Sequence, residues 1–173
     1  MKKIVLSALL AAGLVTMSGC SAMTKDIKVM SETSSKVNLS GYKTFSWLPV
    51  ANILVDEKSQ YKGRGYDVND YIESQITKVL LNSDRTMEQE NPDFLVTYIF
   101  GADMDAVKAK LDDEGKEILN NVPQAALIAM CMDAKTLKVI WASSAEADIK
   151  KDSSDEESKE RIEYAVEEMF SDF

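Results

Sequence analysis

Two segments of this chain, Phe94 to Gly101 (FLVTYIFG) and Ala125 to Met132 (AALIAMCM), are apolar on both parities. A strand exposes alternate residues to opposite faces, so a sheet covered on one side only alternates apolar with polar. Phe94, Val96, Tyr98 and Phe100 make one apolar row, and Leu95 and Ile99 on the other parity are apolar too. These segments read as central strands with something over part of the second face. The chain's own candidates are Ile53 to Val55 and the segment 104–121, because long connections usually pack on their own domain. The external candidates are a partner protein or an acyl chain on an exposed apolar patch.

The remaining segments supply the rest of an α+β domain. Tyr42 to Leu48 (YKTFSWL) is β-prone and stops at Pro49. Ile27 to Ser31 reads as a short first strand. Asp67 to Asn82 reads as a helix: Asp67 caps it, and Val68, Ile72, Ile76, Val79 and Leu80 form one stripe. Gln124 to Met132 and Lys138 to Asp148 form a hairpin closed by a turn that Asp133 starts, its carboxylate bonding the turn's own amides. Ser154 to Phe173 is a second amphipathic helix, with Ser154 and Glu157 spaced as a capping box. The order predicts a two-layer α+β sandwich: one mainly antiparallel sheet of about five strands, with both amphipathic helices on one face. Between the first elements, Tyr61 to Tyr66 (YKGRGY) reads as a mobile loop in preference to a small anion-binding nest.

The N-terminus specifies a place. Lys2 and Lys3 precede an apolar stretch from Ile4 to Val15, broken only by Ser7 and Gly13, and Ser18 and Gly19 lead into Cys20. A secretory signal has this order of parts, and the stretch is shorter than the roughly 20 residues needed to cross a bilayer as a helix. Residues 1–19 therefore read as an export signal that ends at Gly19, before Cys20. Residues 20–36 read as the N-terminus, a short tether and a possible first strand, and 37–173 as a single α+β domain. About six residues would separate Cys20 from the first strand, a reach of about 20 Å.

Removal of Lys2 and Lys3 leaves 18 basic against 29 acidic residues, a net charge of −11. Such a domain is repelled by phosphate backbones and by anionic lipid headgroups, which argues against nucleic-acid binding and against adsorption to a membrane surface. The chain has no histidine, so the commonest metal ligand and the usual imidazole base are missing. The acidic run Asp112-Asp113-Glu114 lacks the ligand spacing of a calcium loop and reads as a solvated face; no metal and no cofactor are expected. Cys131, between Met130 and Met132, reads as a small buried hydrophobe, since the local sequence supplies no cation to make it reactive. No motif sets a nucleophile beside a base, so an enzyme is the least expected class.

Two resemblances add to this. Met17-Ser18-Gly19-Cys20 resembles the bacterial lipobox, in which the cysteine is diacylated, the signal is cut before it and the new N-terminus is acylated. Ser21, where an Asp usually retains such proteins at the inner membrane, then implies the periplasmic face of the outer membrane. Second, three blocks resemble a family of Gram-negative lipoproteins known as domain of unknown function 4136. They are Leu39 to Pro49 (LSGYKTFSWLP), Asn91 to Tyr98 (NPDFLVTY), and Asp133 to Thr136 with Lys138 and Trp141. The family often has Gly-Thr-Leu entering the hairpin and Trp-Arg-Gly leaving it, where this chain has Gln124-Ala125-Ala126-Leu127 and Trp141-Ala142-Ser143. That resemblance implies a fold and a location but no chemistry. Tyr42, Trp47, Asp133 and Trp141 read as structural anchors. The expected partners are the membrane, through the lipid on Cys20, and an envelope protein; a carrier or sensor of a lipid or other apolar ligand is the alternative.

Overall fold

In the computed structural model, residues 23–48, 53–55, 61–101, 126–148, 150 and 152–173 are described. The strands are β1 (Lys28–Thr33), β2 (Thr44–Trp47), β3 (Ile53–Val55), β4 (Thr86–Met87), β5 (Phe94–Gly101), β6 (Ala126–Asp133) and β7 (Val139–Glu146), with helices α1 (Val68–Asn82) and α2 (Asp155–Met169). Among these residues the strands form one sheet in the order β1-β7-β6-β5-β2-β4, and β3 also pairs with β5.

The sheet is mixed, which corrects the expectation of a mainly antiparallel sheet of about five strands. β1, β7, β6 and β5 are antiparallel neighbours, whereas β2 runs parallel to both β4 and β5, and β3 runs parallel to β5. The cause is α1. A hairpin can join only antiparallel neighbours, while a helical crossover returns the chain to the same end and delivers a parallel strand. β2, α1 and β4 form such a unit. Ile53 to Val55 does not fold across the sheet; it joins the edge beside the second half of β5, Ile53 opposite Ile99. The other expected cover, 104–121, lies outside the described residues.

Local signals set the helix ends. Asp67 accepts from the amides of Asn69 and Asp70 at the start of α1. Ser154 and Glu157 form a reciprocal capping box on α2. The buried residues of both helices join Phe45, Phe94, Val96, Tyr98, Leu127, Ala129 and Cys131 in one hydrophobic cluster. Both helices thus cover the same sheet face, and Lys78 on α1 bonds Glu163 on α2 at 2.6 Å. Ser143 lies fully buried on that face; its hydroxyl donates to the Met30 carbonyl and lies 2.9 Å from the Ser31 hydroxyl, tying β7 to β1. On the opposite parity Thr97, Ile99, Ile128, Met130, Ala142 and Ser144 are also buried, outside the main cluster. The central strands are therefore dry on both sides, as their composition requires.

Candidate functional site

Gly19 and Cys20 lie outside the described residues. The four anchors fall at two places along the sheet. At the end where β5 begins and β6 finishes, the Tyr42 hydroxyl donates to Asp133 Oδ2 at 2.9 Å. Asp133 Oδ1 accepts from the amides of Lys135 and Thr136 and from the Thr136 hydroxyl. Asp93 does the same work beside it: its Oδ2 takes the amides of Lys43 and Thr44, each at 2.9 Å, and its carbonyl takes the Ala134 amide. Donors of this kind favour the ionised form, and they hold both carboxyls below their ordinary range. The Asp133 carboxylate also pushes the Tyr42 phenol up, after desolvation. Every carboxylate in this knot is occupied by its own loops. Leu137 closes the hairpin at φ 57°, a left-handed position that an L side chain adopts at a cost.

Trp141 and Trp47 belong to the core. Trp141 is 1% exposed and meets Phe170 and Phe173 with ring centroids at 4.6 and 4.8 Å. Trp47, half-buried, stands edge-on to Tyr98 at 6.1 Å.

The guanidinium of Arg85, just past α1, lies 4.2 Å over the Phe173 ring. It is the cation near Cys131 that the local sequence lacked. Burial nonetheless dominates over Arg85's attraction and pushes the Cys131 thiol well up, so the thiol is the buried hydrophobe that its neighbours suggest, even with a cation nearby.

Two side-chain groupings had no signal in the sequence. The loop Tyr61 to Tyr66 is docked, not mobile. Arg64 donates to the carbonyls of Ser153 and Ser154 and pairs with Asp155 at 3.5 Å. Gly65 gives its amide to Asp155 Oδ2 at 2.8 Å, where a Cβ would sit 2.7 Å from that oxygen. The anion a nest there would take is therefore a carboxylate of α2 itself. Tyr66 bonds Ser158, and Lys159 lies 4.6 Å over the Tyr66 ring.

The second grouping holds the N-terminal segment. Arg161 on α2 forks onto Asp26 at 2.8 and 2.5 Å and also donates to the Met23 and Asp148 carbonyls. Lys150 reaches the Met23 carbonyl at 3.3 Å and Asp26 at 3.6 Å. The Arg161 bond holds the Asp26 carboxyl far below the usual range, against desolvation. The strand itself begins at Lys28 and runs to Thr33, later than the expected Ile27 to Ser31. The segment from Met23 is nevertheless already fixed to the domain, so the expected six-residue free tether is too long.

An open groove of about 570 Å³ runs along the outer side of α1, its described lining including Asp70, Ser74, Thr77, Lys78, Leu81 and Asn82. Leu81 is 49% exposed there. No group of three or more metal-ligating side chains occurs among the described residues, and no described helix is long and apolar enough to cross a membrane.

A mixed sheet carrying two helices on one face, its motif carboxylates spent on loop closure, defines a small α+β domain. The chain belongs to the family described as Domain of unknown function (DUF4136), whose model matches residues 29–173. No curated protein matches it. Among solved structures it is similar to a PDZ domain protein from Parabacteroides distasonis ATCC 8503, at 15% identity and a TM-score of 0.46, over 89% of this chain. The chain spans 40% of that protein's length. It is also similar to a PelC dodecamer from Paraburkholderia phytofirmans, at 10% identity and a TM-score of 0.44, over 81% of this chain and 95% of the other.

Proposed function

We propose that this protein is a lipoprotein acylated at Cys20, held on the periplasmic face of the outer membrane, and that its domain is a non-catalytic binding or accessory module for an envelope component. The observation that carries the module reading is the commitment of the motif side chains. Tyr42, Asp93 and Asp133 spend their polar atoms on the chain's own backbone and on each other, which suits a scaffold and not a reagent. The α1 groove, with an exposed Leu81 between charged and hydroxyl side chains, has the mixed character of a protein-contact surface.

Fractionation of cells carrying the parent or Cys20→Ser tests the anchor: the parent sediments with outer membranes and the variant is soluble. A variant that still sediments with membranes sinks the anchor. A photo-crosslinking amino acid at Thr77, in intact envelopes, tests the module: a discrete adduct forms that is absent when the probe sits at Glu32 on β1. The alternative, a carrier or sensor of an apolar ligand, would have to open the second apolar sheet face, whose Ile99, Ile128 and Met130 are already buried within the protein. It predicts a lipid copurifying in stoichiometric amount with the Cys20→Ser protein.

A further inference from the structure

The clamp on Met23 and Asp26 has a geometric consequence for any anchor at Cys20. Only Ser21 and Ala22 stand between that cysteine and a residue already bonded to Arg161 and Lys150. Three residue spacings separate Cys20 from Met23, a reach of at most about 10 Å. The headgroup layer of one leaflet is itself about 5–7 Å thick, half the difference between a bilayer's full thickness and its hydrocarbon core. A domain tied this tightly has little room to stand off.

We propose that the corner formed by the start of β1, the end of β7 and the start of α2 docks on the phospholipid headgroup layer that holds the anchor. This rests on acylation at Cys20. Length, not charge, sets this contact. Lys25, Lys28, Lys150 and Arg161 lie near Asp26, Glu146 and Asp148, but Asp152 and the first turn of α2, Asp155 to Glu157, add acid, so electrostatics alone would not draw the corner to phosphates. Lys25, Lys28 and Lys150 are exposed there. Arg161 is not; its fork onto Asp26 spends it on orientation.

Docking at this corner fixes which end of the domain faces away. β6 starts opposite Glu146 and ends at Asp133 opposite Phe94, and eight residues of strand span about 25 Å. The Tyr42–Asp93–Asp133 knot and the exposed Thr136 therefore point into the periplasm, away from the bilayer.

The test uses the acylated full-length protein in protein-free vesicles of phosphatidylethanolamine and phosphatidylglycerol. A fluorophore is placed through Lys25→Cys, Lys28→Cys or Thr136→Cys; Cys131 is buried and Cys20 is acylated, so neither competes. Phospholipid spin-labelled on the headgroup should quench the labels at positions 25 and 28 several-fold more than the label at 136. A Gly/Ser insert of about twelve residues after Ala22, with a root-mean-square reach of about 20 Å, should abolish the contrast. Equal quenching at all three sites with the protein still vesicle-bound overturns the docking and leaves the anchor standing; that is also the outcome if the corner is reserved for an envelope protein. A contrast that survives the insert equally overturns the length argument. If the parent binds vesicles no better than Cys20→Ser, the acylation reading fails and the docking with it.

Discussion

Replacing Asp26 with Ala separates a welded N-terminal segment from a loosely lying one. Arg161 is 9% exposed and forks both terminal nitrogens onto Asp26. Removing one partner of a buried pair typically costs 3–5 kcal/mol, because the other charge is stranded. Here the Asp26 side chain is 20% exposed, and Arg161 keeps the Met23 and Asp148 carbonyls. Water and those acceptors recover part of the loss, which leaves about 2 kcal/mol. For a domain of this size that is a fall in Tm of about 4–8 °C. The assay is urea and thermal unfolding of the Cys20→Ser protein followed by circular dichroism, with m unchanged. Asp26→Ala combined with Arg161→Met should recover most of the stability, since no charge is then stranded. The pH dependence has a definite sign. The native carboxyl titrates below its unfolded value of about 3.9, so the unfolded chain binds more protons across that window and stability rises with pH. The contribution is complete at neutral pH, begins to fall below pH of about 4, and is gone only when the pH has dropped through the native carboxyl's own, much lower value; only there should the parent converge on Asp26→Ala. A change under about 0.5 kcal/mol at pH 7, or a double variant worse than the single, would refute the clamp.

Four further outcomes follow from the geometry. Tyr42→Phe removes one of the bonds to Asp133 while the Oδ1 bonds remain, and should cost about 1 kcal/mol by urea unfolding. Ser154→Ala breaks the capping box of α2 and should cost about 1 kcal/mol, whereas Ser154→Asp should be near neutral. Leu137→Gly relieves the left-handed position at an exposed site and should stabilise by up to about 1 kcal/mol. Cys131 should resist thiol reagents in the native Cys20→Ser protein and react fully in denaturant; rapid native labelling would contradict its burial beneath Arg85.

Much of the fold was legible because its signals are local. Asp67, Ser154 with Glu157, and Asp133 each act on backbone within a few residues, so capping and turn chemistry can be read directly off the chain. The dry central strands were legible for the same reason: a continuous apolar run has to be covered on both faces. Strand direction was not. Nothing within Thr44 to Trp47 says whether its neighbours run with it or against it; that is settled when α1 carries the chain back to the same end of the sheet.

The groupings that hold the Tyr61–Tyr66 loop and the N-terminal segment are the least local. Arg64 meets Asp155 across 91 residues, and Arg161 meets Asp26 across 135. A charged residue in a charge-rich chain carries no mark of its partner, so these read as ordinary surface charges until the helices are docked. The sequence by itself determined the acidic balance, the helix caps and the dryness of β5 and β6, because each depends on composition or near neighbours. Only the tertiary structure decided the mixed sheet, the docking of the Tyr61–Tyr66 loop and the clamp on Met23, because each requires segments far apart in sequence to be brought within hydrogen-bonding distance.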